Sequence, residues 1–521
     1  MTTREVLALL QQSAEQAARE QYDGALAALD RALQLEPMFT PAQVQRASLL
    51  MSLDRPESAV ACLSQVLRQA PELAQVRQLR QTIAASALAG CDRVLAIATD
   101  DVPALRRRGN LAMLLQDYAA ALAAYTRLLQ HEPEDADARI NCGNCCAALG
   151  RYDEALQQYD AVLAAHPNQA LAAYNRGTIH RKLNRSDDAM RDFARAVAIA
   201  SDLAEARLAI SHCLLAQGDY RNGWREFEWR WRTRQLAGSV PPLPTPRWRG
   251  DFPLAGKTIL LWAEQGLGDT LQFARFLPLV AAQGAALIVR IPAALQALFM
   301  TLPCPMRLIS LTDPLPEHDC HCPLMSLPLA LGTTLASIPA AVPYFRAEAD
   351  AVAQWRQRLA GRRRPLVGVA WAGRQYDFAN HGRDVPLALL QPLLRDERLT
   401  PVCLQMTVSA ADADLLAGMP QVVRAGEAVR DFADTAALMA NLDLIITVDT
   451  VVAHLAGALA RPVWIMLAHA AEWRWLTARD DSPWYPTARL FRQPAVNDWC
   501  GTIAALTACL GHGVAPVVAN G

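Results

Sequence analysis

A carboxylate on a glycine-rich turn, a hydroxyl opening a helix and two arginines beyond a buried strand are the groups of this chain best suited to chemistry. In EQGLGDTLQFARFLP, Gly266 and Gly268 free a tight turn and Asp269 stands at the start of the helix that follows. Two roles are open to it: capping that helix, or accepting a proton from an attacking hydroxyl. In LIITVDTVVAHLAGALARPVW, Asp449 and Thr450 follow a strand and open a helix that contains His454. Free N–H groups and the helix dipole make such a start an anion site, suited to a departing diphosphate. His454 comes four residues after Thr450 and on the same face, where it either bonds a ligand or braces the loop. In WAGRQYDFANHGRDVPL, Gly373 permits a sharp exit from a strand, and Arg374 and Arg383 carry forked donors that match phosphate oxygens.

The elements that must position these groups are short apolar runs separated by glycine turns and amphipathic helices, the pattern of parallel sheets with crossover helices. KTILLWAE (257–264) and ALIVRI (286–291) read as strands of a first unit over 257–348. A proline-rich stretch from His318 onward is expected to carry the chain out of it. PLVGVAWAG (365–373), TPVCLQM (400–406), LDLIITV (442–448) and RPVWIML (461–467) read as strands of a second unit over 364–521. Two Rossmann-like halves facing a cleft are expected, with ligands at the strand ends. Trp473, Trp475, Trp484 and Tyr485 cluster among arginines, and we read them as a domain seam in preference to a sugar platform.

Ahead of these units the sequence repeats itself. Pro37 and Pro71 are 34 residues apart, as are Pro133 and Pro167, with Ser201 one period on. Ala121, Tyr125 and Leu128 recur as Ala155, Tyr159 and Val162, then as Ala189, Phe193 and Ala196. Gly109, Gly143 and Gly177 hold one place in the first helix of the pair. Small residues at fixed offsets let paired helices approach closely, and proline ends the second. A helical array over 1–232 is expected, with a degenerate repeat between Pro71 and Thr99, where the spacing falls short of one period. Such arrays hold an extended peptide or a partner protein. Trp224, Phe227, Trp229 and Trp231 are expected to cap the array and dock it on the first sheet-bearing unit. Residues 233–256, with prolines at 241, 242, 244 and 246, read as a stiff linker.

Composition narrows the function classes. A formal charge of −1 over 521 residues leaves no global basic field for nucleic acid. No apolar run is long enough to span a bilayer, and the first residues carry charges where a signal peptide needs apolar ones. A soluble, cytoplasmic protein with reduced thiols is expected. Cys142, Cys145 and Cys146 sit around Gly143 and read as small packing residues. Asp412 and Asp414 form a DxD in a helical surface pattern, away from a strand end. The His318, Cys320, His321 and Cys322 run leaves metal binding open, although such close spacing rarely supplies a tetrahedral set.

Taken together, EQGLGDTLQFARFLP, PLMSLPLALGT, GVAWAGR, DFADTAAL, DTVVAHLAGALARPVW and EWRWL resemble a bacterial group of tetratricopeptide-repeat proteins. Their catalytic region is similar to the ADP-heptose:lipopolysaccharide heptosyltransferases. The resemblance implies an α-solenoid followed by an α/β GT-B fold and an inverting, metal-independent transfer from a nucleotide-sugar, with no cofactor beyond that donor. It implies Asp269 as the catalytic residue. Gly266, Gly268, Arg374, Arg383, Asp449, Thr450 and His454 fall to the donor side. Val451 stands where that group usually has glycine, and AHAAEWRW lacks its Pro-Asp before the tryptophan, which leaves Ala471 and Glu472 unassigned as donor contacts. The domain order is also similar to that of O-linked N-acetylglucosamine transferase and of flagellin glycosyltransferases, which implies a protein acceptor held by the repeats. The other readings are an enzyme of lipopolysaccharide or other glycan assembly, and a non-catalytic scaffold.

Overall fold

The computed structural model describes residues 2–36, 39–70, 73–237, 241, 243–373 and 382–511. Pro37, Pro71 and Arg374 lie outside the described residues. The chain divides into two compact units, Met1–His180 with Asp187–Asp202, and Arg181–Ser186 with Leu203–Gly521.

The first unit is built of antiparallel helix pairs, as the repeat predicts. Aspartates at 101, 117 and 135 cap their helices, accepting from the N–H groups of Ala104, Ala120 and Ala138 at 2.7, 3.0 and 2.9 Å. Each such cap stabilises by about 1 kcal/mol. A Cβ on Gly109, Gly143 or Gly177 would come within 2.7, 2.5 and 2.8 Å of the rings of Tyr125, Tyr159 and Phe193. The glycine is therefore the socket for the aromatic residue of its partner helix. Tyr125 and Tyr159 donate their hydroxyls to Asn110 and Asn144 at 2.7 Å. In the next repeat Phe193 has no hydroxyl, and Thr178 stands where the asparagine would be.

The helix-to-helix turns carry a second clock. Residues with positive φ fall at Glu20 and Asp54, then at Gln116, Gly150, Asn184 and Gly218. Spacing is one period throughout, except that Asp54 and Gln116 are six residues short of two periods. That gap contains the Ala74–Ile97 helix, 24 residues long. The degenerate repeat expected there is thus one long helix in place of a pair.

The second unit holds two parallel sheets. The first contains β1 Thr258–Trp262, β2 Ala286–Arg290, β3 Arg307–Ile309 and β4 Cys320–Pro323, in the order β3-β2-β1-β4. The second contains β5 Leu366–Ala370, β6 Thr400–Cys403, β7 Leu444–Val448, β8 Val463–Leu467 and β9 Ala488–Arg492, in the order β6-β5-β7-β8-β9. All central strands are buried on both faces, which is why they read as continuous apolar runs.

Three expectations need correction. The stretch from His318 does not leave the first sheet at once, because Cys320–Pro323 pairs with Ile259–Trp262 as β4. Short length and two cysteines hid it as a strand. Segment 233–256 is more than a stiff linker at its far end: Trp248 N–H donates to the His321 carbonyl at 2.8 Å and its indole is buried. The helix pair Ala204–Ala216 and Tyr220–Phe227, the last of the array expected over 1–232, belongs to the second unit. There Trp224 packs edge-on against Trp473 with ring centroids 5.3 Å apart, and Trp484 donates to the Tyr220 hydroxyl at 3.0 Å. Trp224, Phe227, Trp473 and Trp484 form this seam, while Trp231 packs on Trp262 with ring centroids 5.6 Å apart.

All twelve cysteines are free, and most are buried. Burial pushes the Cys142 thiol up to about 11 and that of Cys145 up to about 12, so both are neutral packing groups.

Candidate functional site

Each sheet reverses its winding once. The chain leaves β1 to build β2 and β3 on one side and returns to place β4 on the other. The second sheet does the same at β5, with β6 on one side and β7 on the other. Crevices at the carboxyl ends of strands open at such switch points. The turn after β1 carries Gly266, Gly268 and Asp269, the loop after β5 carries Gly373 and Arg383, and the loop after β7 carries Asp449 and Thr450. Most of the candidate residues read from the sequence therefore leave their sheets at the places topology favours.

Asp269 is the third residue of the Leu267–Phe273 helix, whose N-cap position is Gly266, and its side chain caps the helix start from there. Its Oδ2 reaches back to accept the Gly266 N–H at 3.1 Å, and its Oδ1 pairs with Arg474 Nη2 at 2.6 Å. Arg474 comes from the short Trp473–Trp475 turn beyond β8, so this pair joins the two sheet-bearing halves. Gly268 seals the same contact. A Cβ there would sit 2.8 Å from His454 Cδ2 and 3.6 Å from Val451 Cα, so only glycine lets the turn rest on the Val451–Ala458 helix.

Thr450 precedes that helix with extended backbone, its hydroxyl 3.3 Å from that of Thr447. Asp449 is buried beside it. His454 Nδ1 bonds the Tyr485 hydroxyl at 2.9 Å, and its ring stacks on Trp475 with centroids 5.6 Å apart. Burial holds this imidazole neutral, well below its ordinary value, with the charges of Arg474, Arg275 and Arg383 adding to the effect. Of the two roles left open for His454, bracing is the one with a bonded partner here. Arg383 is half-buried and near enough for its charge to reach His454.

Sequence reasoning missed the cations that organise this crevice. Arg474 also meets Glu472, Nη1 to Oε2 at 3.1 Å. Burial opposes its charge, but Glu472, Asp269 and Asp449 hold its pKa above the ordinary value. The Glu472 side chain keeps 30 % of its exposure while sitting deep among its neighbours. Its carboxyl is pushed up to about 7 by burial, with Asp449 and Asp269 adding to the rise and Arg474 opposing it. Arg275, in the middle of FARFLP, donates to the Trp484 carbonyl at 2.7 Å and lies over the Tyr485 ring at 4.6 Å.

Beneath the turn, Arg230 makes a forked pair with Glu264, Nε to Oε2 at 2.8 Å and Nη2 to Oε1 at 2.9 Å. Both side chains are 1 % exposed. Ser326 and Glu228 complete the network, and the Met325 N–H donates to Glu264 Oε1 at 3.1 Å. In the sequence these two charges stand within FEWRWR and EQGLGD, where the tryptophans and glycines are the more conspicuous residues.

The remaining candidates separate from the crevice. Cys320 and Cys322 alternate with His321 along β4, so they face away from it. His321 Nδ1 is instead 3.3 Å from Trp262 Nε1, and burial lowers it to about 4. Asp412 sits on the Ala410–Ala417 helix and accepts from Trp371 Nε1 at 3.1 Å. Among the described residues no group of three or more His, Cys, Asp or Glu side chains is arranged to hold a metal ion, and no helix is long and apolar enough to cross a membrane.

Comparison with known proteins finds the helical repeats and one distant relative. Tetratricopeptide-repeat models match residues 16–83, 106–170 and 147–204. The chain is 26 % identical to Protein FlbA of Caulobacter vibrioides over 342 residues, covering 61 % of this chain and 56 % of that protein. It thus spans about half the length of the curated relative it matches. Among solved structures, a tetratricopeptide repeat protein from Parabacteroides merdae is 17 % identical with a TM-score of 0.27, over 43 % of this chain and 91 % of that one. PilW, a type IV pilus biogenesis factor, is 18 % identical with a TM-score of 0.28, over 44 % and 96 %.

Proposed function

We propose that the chain is a GT-B glycosyltransferase that moves a sugar, with inversion, from a nucleotide-sugar to a protein acceptor recruited by its tetratricopeptide repeats. Flagellin is one such acceptor by domain order. The observation that carries this reading is the meeting of Asp269 with the Thr450 helix tip. Both are exits from switch points, held face to face by Gly268 on His454 and by Arg474 on Asp269.

In this mechanism the acceptor hydroxyl oxygen forms a bond to the anomeric carbon as the bond from that carbon to the diphosphate oxygen breaks. The proton passes to Asp269. Negative charge gathers on the leaving diphosphate, where the free N–H groups after Thr450 and the Arg383 guanidinium stabilise it. His454, locked by Tyr485, keeps the helix tip in register. The reading takes the transfer as metal-independent. Activity abolished by EDTA and restored by Mg²⁺ counts against that part.

Intact-mass measurement of cellular proteins, in cells carrying the wild-type chain or Asp269→Asn, tests the whole. A sugar-sized increment on a protein that vanishes in the variant is the expected result. A change confined to extracted glycan moves the enzyme to lipopolysaccharide or other glycan assembly. No difference in either leaves the repeats as a scaffold.

A further inference from the structure

The Arg474 guanidinium is divided between two carboxylates. One Nη holds Asp269 Oδ1 at 2.6 Å and the other lies 3.1 Å from Glu472 Oε2. Asp269 belongs to the first sheet's turn, while Glu472 and Arg474 belong to the segment after β8. We propose that Arg474 is the positioning residue for Asp269, and that Glu472, by competing for the same guanidinium, sets how firmly Asp269 is held. The consequence for proton transfer rests on the glycosyl-transfer reading; the sharing of Arg474 does not.

The physical case is a three-body one. With Glu472 charged, it draws on Arg474 and repels Asp269, and both effects loosen the hold of Arg474 on Asp269. With Glu472 neutral, Arg474 serves Asp269 with little competition. The remaining neighbours do not confuse the exchange. Asp449 faces both Arg474 and Glu472 from the end of β7, and Tyr485 faces Arg474. Tyr220, whose hydroxyl burial pushes up, faces Arg474 and Glu472. His454 and His212 also face Arg474, and burial keeps both imidazoles neutral near pH 7, His212 being lowered to about 3. Between pH 6 and 8.5, Glu472 is therefore the group that changes state.

The test is a thermal-unfolding cycle on the full chain: Asp269→Asn, Arg474→Met and the pair, each in wild-type and Glu472→Gln backgrounds, at pH 6 and 8.5. We expect the double loss in Tm to fall short of the sum of the single losses by about 2–4 °C. The shortfall grows in Glu472→Gln at pH 8.5, and grows in the wild type on going to pH 6. Additive losses, or a shortfall indifferent to Glu472, overturn the proposal. Arg474→Lys, which keeps the charge, replaces Arg474→Met if the latter fails to fold. A second arm measures nucleotide release from ADP-, GDP- and UDP-activated hexoses between pH 5 and 9. Glu472→Gln should match the wild type in kcat at pH 5.5, where Glu472 is already neutral, and depart from it by roughly threefold to tenfold at pH 8.5, where Glu472 is charged. Coupling in Tm without nucleotide release keeps the positioning role and removes the transfer reading. Release that depends on Asp269, without coupling in Tm, does the reverse.

Discussion

In the helical repeats, Tyr159 finds its asparagine 15 residues back and Gly143 as its socket, and Tyr125 with Gly109 makes the same arrangement one period earlier. In the sheet-bearing unit, Arg474 reaches Asp269 across 205 residues and Arg275 reaches Trp484 across 209, each once. The first kind of contact is local and written several times. The second is long-range and has no copy. A repeat can therefore lose one polar bond, as Phe193 has, while the crevice has no second chance at any of its pairs.

Breaking the buried pair beneath the turn is the strongest challenge to this contrast. Arg230→Met removes the cation that forks onto buried Glu264 and leaves it only the Met325 N–H, and urea unfolding should lose about 3–5 kcal/mol. Replacing both, as Arg230→Met with Glu264→Leu, should recover most of that, since the cost is an uncompensated charge. A loss below about 1 kcal/mol would mean that the unit does not rely on singular contacts.

Gly143→Ala probes the repeat's socket. The new methyl meets the Tyr159 ring, so circular dichroism should report a loss of about 1–3 kcal/mol in the helical transition. In a Tyr159→Ala background the same change should cost almost nothing. An equal cost in both backgrounds would show that the aromatic residue is not what the glycine serves.

The smallest effect is expected from Tyr159→Phe. It removes one hydrogen bond, about 0.5–1.5 kcal/mol. The lower end is expected, because Asn175 Nδ2 still donates to Asn144 Oδ1 at 2.9 Å and the acceptor keeps a partner. A loss as large as that of Gly143→Ala would erase the redundancy inferred for the array.

Legibility in the sequence divides along the same line. The helix pairs, their register and their glycine sockets announce themselves because one physical solution is repeated at fixed spacing. Six strands were legible as apolar runs, since burial on both faces leaves little room for polar residues. β3, β4 and β9 escaped because they are short or edge-lying: Arg307–Ile309 has three residues and Cys320–Pro323 ends in proline. At the crevice, glycine turns and a strand-end Asp-Thr pointed to Asp269, Asp449 and Thr450. Arg474, Glu472, Arg230 and Glu264 were not legible. A buried charge is recognised by its partner, and Asp269 and Glu264 lie 205 and 34 residues from the arginines that hold them.

Of the twelve thiols, Cys500 alone is exposed, at the start of the Trp499–Gly511 helix; Cys304 and Cys509 are half-covered. A maleimide dye or spin label applied briefly to the unaltered polypeptide should thus attach first at that single handle. The molecule comes equipped for fluorescence or magnetic-resonance reporting without any engineering of its thiols.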